Sequence, residues 1–77
     1  MAENITGSFE DAAVLYECAA NALEVAIKHC RTAAKHFRSH EVPRGCAHGM
    51  AAYGELLSAR EELNKAIVLH SSKAVVE

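Results

Sequence analysis

The sequence predicts an all-α fold: an antiparallel two-helix hairpin, with helices over about 8–40 and 44–72, that forms a four-helix bundle by dimerisation. Three observations predict it. Apolar residues recur every three and four positions in both halves of the chain, the period of a helical face. The only proline, Pro43, stands between the halves. Alanine returns every seventh residue on either side of it, as Ala12, Ala19, Ala26 and Ala33 and again as Ala52, Ala59 and Ala66.

The chain is expected to open on an unstructured lead, residues 1–7, ending at Gly7. Ser8 reads as a helix N-cap, with Asp11 a shorter form of the capping-box acid three residues on. From Ser8 to His40 there is no glycine or proline, and Ala, Leu, Glu, Lys and Arg dominate. At 1.5 Å per residue this first helix is roughly 45–50 Å long. Its seam reads Phe9, Ala12, Tyr16, Ala19, Leu23, Ala26, Cys30, Ala33, Phe37, His40, a large series interleaved with an alanine series. Beside the seam run two further stripes, Ala13–Ala20–Ile27–Ala34 and Leu15–Ala22–His29–His36, so the apolar arc exceeds that of a two-stranded coiled coil.

The charges of this helix run in order. Glu10, Asp11, Glu17 and Glu24 precede Lys28, Arg31, Lys35 and Arg38, which complements the helix dipole. Glu24 is spaced for local pairs with Lys28 and Arg31. Glu10, Glu17, Glu24, Arg31 and Arg38 form one heptad column that marks the solvent face.

Pro43 biases Val42 away from helical geometry, yet fits the first turn of a second helix, where its missing N–H costs nothing. The short connection favours antiparallel neighbours. The second helix repeats the design: Gly49, Leu56, Leu63 and His70 alternate with Ala52, Ala59 and Ala66. Such alanine lines let two axes approach toward the short end of the usual range of about 8–10 Å. Gly45 and Gly54 are expected to fray its first turns. Ser71-Ser72 reads as its end, with 73–77 a frayed tail. Ala74-Val75-Val76 is apolar for a free tail, which suits packing on a partner or continuation into a longer chain.

Composition bounds the function. A chain of 77 residues buries only about 60% of its unfolded surface, and without Trp and with two Phe and two Tyr it has few large anchors. Oligomerisation is the expected remedy. Tyr16, Leu23, Leu56 and Leu63 are assigned to hold the hairpin together. Leu15, Ala20, Ile27 and Ala34, with Met50, Tyr53, Leu57 and Ile67, are left as the intermolecular interface. The partner is a second copy or another helical protein.

A net charge of −2 argues against a dedicated nucleic-acid binder. No run of about 18 apolar residues exists to span a membrane. The N-terminus lacks the basic start and apolar core of a signal peptide. The expectation is an intracellular, cytoplasmic chain whose Asn4-Ile5-Thr6 sequon is silent and whose Cys18, Cys30 and Cys46 are small buried hydrophobes.

Candidate chemistry is sparse. His36, His40, Cys46 and His48 could converge across the turn, and two imidazoles four residues apart suit zinc. The Cys-x-His step is too tight for a regular helix to aim both side chains at one point. Solvated histidines near a helix C-terminus are therefore expected, with no metal or cofactor. No phosphate loop, dinucleotide loop or nucleophile elbow is present, so neither catalysis nor a small-molecule substrate is expected. A basic patch of Lys28, Arg31, Lys35, Arg38 and Arg44 gathers at the turn end. A paired hairpin with such a face resembles, in architecture and heptad style, the plasmid-copy-number regulator Rop, which implies RNA binding as an alternative, beside an acidic protein surface. The leading expectation is a non-catalytic scaffold or adaptor that assembles through helical faces.

Overall fold

The computed structural model describes the backbone of residues 2–76 and the side chains of residues 9–69. The architecture is all-α: helix α1 (Ala2–Arg38) and helix α2 (Val42–Val76) pack side by side as a hairpin, with no strand among the described residues. The molecule is a rod of 57 × 17 × 12 Å with a radius of gyration of 17.3 Å. A compact domain of this length would have a radius near 11–12 Å. Two helices form one layer, and among the described residues no third element folds back over it.

Both helices extend beyond the expected outer limits. α1 begins at Ala2 and runs through Gly7 and Ser8, and α2 continues through Ser71-Ser72 to Val76. The backbone is thus helical where an unstructured lead and a frayed tail were expected. A lone glycine costs a helix about 1 kcal/mol, and a serine pair less, so neither stops it as a proline would. The side chains of those end segments lie outside the described residues. Gly45 and Gly54 likewise leave the start of α2 unbroken.

The turn, residues 39–41, comes two residues earlier than expected, and His40 shapes it. The His40 N–H donates to the Phe37 carbonyl at 3.0 Å, and the Glu41 N–H donates to the His36 carbonyl at 2.8 Å. This pair of bonds closes a Schellman motif, with His40 at the left-handed position, φ 63°. Glycine usually occupies that site because a Cβ is disfavoured there. The Gly45 N–H donates to the Glu41 carbonyl at 3.0 Å, which starts α2. Val42 is its first residue and Pro43 its second, so the proline's missing donor falls among those a helix leaves unpaired anyway.

The hairpin closes along the alanine line. Ala19, Ala26, Ala52, Ala59 and Ala66 are buried at 0–9% exposure and form the hydrophobic core among the described residues. Gly45 extends this line to the turn and is buried too. A Cβ on Gly45 would come within 2.5 Å of the Phe37 ring, so glycine is what lets the ring lie across the start of α2.

Which column accompanies the alanines is the main correction to the sequence reading. Tyr16, Leu23, Leu56 and Leu63, expected to hold the hairpin together, lie at its edge and are 36–48% exposed. The half-buried companions are Leu15, Ala22, His29 and His36 on α1 and His48, Glu55, Glu62 and Leu69 on α2. Two bonds fix their register, His29 to His48 and His36 to Glu41. One further heptad along each helix puts Ala22 level with Glu55, and the next puts Leu15 level with Glu62. The alanines occupy the line where the axes approach most closely, and the large series lies to one side of it.

Candidate functional site: an open apolar face beside a polar seam

The seven-residue spacing that turns the large series outward also gathers it on one side of the hairpin. A shallow groove there is lined by Leu23, Ala26, Ile27, Cys30 and Arg31 of α1 and by Gly49, Ala52, Tyr53 and Leu56 of α2. It continues toward the turn past Ala33, Phe37, Gly45, Cys46 and Met50. Ile27 is 51% exposed, Tyr53 62% and Leu56 48%, so these are large apolar side chains in contact with water. A second groove, near the open end on the other side, mixes Val14, Leu15, Val68 and Leu69 with Asp11, Arg60, Glu61 and Lys65. It is the more polar of the two in its residues.

Of the interface residues expected from sequence, Ile27, Met50 and Tyr53 line the first groove. Ile67, 54% exposed, is one heptad beyond Arg60 in the Tyr53 column. Ala20 is exposed in the Ile27 column, and Ala34 of that column is half-buried. Leu57 is exposed one residue beyond Leu56. Leu15 stands apart, half-buried against the seam and lining the second groove.

The opposite border of the alanine line is closed by polar groups near the turn. Nδ1 of His29 and Nδ1 of His48 stand 3.0 Å apart. One must donate and the other accept, so the bond exists only while one of these two nitrogens lacks a proton. The His48 ring also stacks on His36, with centroids 5.4 Å apart. His36 Nδ1 donates to Glu41 Oε1 at 2.7 Å, and Glu41 Oε2 faces Arg44 Nη1 at 3.6 Å. Three rings and a carboxylate thus tie the last turns of α1 to the first of α2. The sequence reading missed His29 and Glu41 in this cluster. The signal was the heptad column shared by His29 and His36.

The expected convergence of His36, His40, Cys46 and His48 is realised only in part. His36 and His48 meet, while His40 is exposed at the left-handed turn position and Cys46 is exposed on α2. No three His, Cys, Asp or Glu among the described residues gather as a metal would require. Cys18, Cys30 and Cys46 are free thiols and exposed, not buried as expected. Cys30 belongs to the large series and shares its outward turn. The basic residues Lys28, Arg31, Lys35, Arg38 and Arg44 are all exposed, and of these Arg44 alone has a carboxylate within 4 Å among the described residues. The expected Glu24–Lys28 and Glu24–Arg31 pairs are not formed. Holding two long exposed side chains together gains little against their lost entropy.

The class defined by these features is an elongated antiparallel helical hairpin with an alanine core, one polar border and one apolar border. No described helix is long and apolar enough to cross a membrane. Comparison with protein-family models, with curated proteins and with solved structures finds no match.

Proposed function

We propose that this chain is a non-catalytic assembly module, a scaffold or adaptor, that self-associates through its apolar border into a four-helix bundle. One observation carries the reading: among the described residues, the buried core of the hairpin consists of five alanine side chains. At about 0.8 kcal/mol per buried carbon, five methyl groups contribute roughly 4 kcal/mol. That is small beside the entropy of ordering a chain of this length. Meanwhile Leu23, Ile27, Tyr53 and Leu56 line one continuous groove exposed to water. An apolar strip of this kind marks an interaction surface, and a second hairpin laid on it would build the missing layer. Ala20 and Ile67, in the adjoining columns, belong to the same surface.

Sedimentation equilibrium tests the proposal. The wild-type chain is expected to sediment as a dimer at micromolar concentration. Leu23→Lys with Ile27→Glu should shift it to monomer, whereas Val14→Lys, in the second groove, should not. A wild-type chain that stays monomeric into the hundreds of micromolar would overturn the reading.

A further inference from the structure

The geometry of this association can be inferred from charge, on the footing of the proposal above. Glu10, Glu17, Glu24, Arg31 and Arg38 form one column on α1 at seven-residue spacing, and all five are exposed. Each lies three or four residues from a member of the Ala13–Ala20–Ile27–Ala34 row, so the column borders the apolar face. Arg31 lines the groove itself. The ion pairs found among the described residues are His36–Glu41 and Glu41–Arg44, and neither includes a member of the column.

We propose that a second copy of this chain covers the apolar face in a two-fold dimer whose turns lie at opposite ends, with α1 running antiparallel to α1 of that copy. The column then meets itself reversed. Glu10 lies level with the second copy's Arg38, and Glu17 with its Arg31, because seven-residue steps in opposite directions keep every pair in register. The two-fold axis repeats both contacts. Glu24 meets its own counterpart at the axis. Flanking charges of this kind set partner and orientation in paired helices. If both turns lay at one end, α1 would instead flank α2 of the second copy. The bordering row there is Cys46, Tyr53, Arg60 and Ile67, which offers one charge to the column. The acid-then-base order along α1 suits the first arrangement.

Two variants test the orientation. One carries Glu10→Arg and Glu17→Arg, the other Arg31→Glu and Arg38→Glu, with circular dichroism confirming that each remains helical. Each alone should dimerise roughly tenfold more weakly than wild type. Mixed, they should form the heterodimer in preference to either homodimer, and added salt should narrow the difference. Separately, Glu24→Cys in a chain with Cys18, Cys30 and Cys46 changed to Ser should give a disulfide-linked dimer with oxidised glutathione. A wild-type dimer combined with no cross-link and no preference on mixing overturns this orientation and leaves self-association standing. A wild-type monomer at every concentration overturns both, and the face then belongs to a different chain.

Discussion

On one side of the alanine line, His29, His48, His36 and Glu41 bond to one another within the chain. On the other, Leu23, Ile27, Tyr53 and Leu56 face water. The two borders differ in what they need. Rings and carboxylates at the polar border find partners across the hairpin and can remain half-wet at little cost. Nothing among the described residues covers the apolar border, and its side chains gain the rest of their stabilisation only once covered. The polar border therefore serves register, and the apolar border is the surface that the proposed association would cover. The alanine line between them serves both, since it sets how closely the helices approach.

The largest expected effect comes from filling that line. Ala59→Leu or Ala26→Leu should overpack it and cost about 1–3 kcal/mol, lowering the melting temperature by several degrees. Val14→Leu, at a 45% exposed position, should leave it unchanged. Thermal denaturation of the three variants checks this. Equal melting temperatures would mean that the alanines are not what holds the helices together.

Next in size is the turn that joins the borders. His40 sits at φ 63°, so His40→Gly should stabilise the hairpin by about 1 kcal/mol, by removing the cost of a Cβ in left-handed geometry. Urea titration measures it as a higher midpoint at unchanged slope. A lower midpoint would show that the His40 side chain makes a contribution outweighing its backbone strain.

The glycines separate the seam from its apolar border. Nothing lies within 4 Å of a Cβ added to Gly49 or Gly54. Ala at either position should therefore gain a little under 1 kcal/mol in helix propensity. Gly45→Ala should not show that gain, because the new Cβ would displace the Phe37 ring. If Gly49→Ala raised thermal stability in dilute, monomeric samples but weakened dimerisation, Gly49 would be marked as a point of close approach between copies.

The smallest effect belongs to the polar border. His48→Leu alone leaves His29 without its partner and should cost about 1 kcal/mol at most, given its partial exposure. His29→Leu with His48→Leu should restore much of the loss, since both polar groups are then gone. A double-mutant cycle by thermal melts reads the coupling between the two rings. A coupling of zero would remove the His29–His48 bond from the forces that set the register.

Much of this architecture was legible in the sequence. Helical period fixes the existence of both helices, Pro43 fixes the break, and alanine at every seventh residue fixes the line of closest approach. The expected interface residues Ile27 and Tyr53 fall on the open face for the same reason: they sit one column away from that line. Periodicity did not decide which neighbouring column closes with the alanines. Tyr16 and Leu23 lie three and four residues from Ala19, and so do Ala22 and Leu15 on the other side. Hydrophobicity favours the first pair, and the hairpin closes on the second. Only the packed pair of helices shows which flank is the more covered: Leu15, Ala22, His29 and His48 are half-buried there, while Tyr16 and Leu23 are more exposed. The His29–His48 bond and the left-handed His40 arise in the same way, from residues far apart in sequence or from a turn that closes around its own carbonyls. Local spacing thus determined the helices and their small-residue line, while rotation about that line was decided only in the packed pair, where His29 meets His48 and His36 meets Glu41.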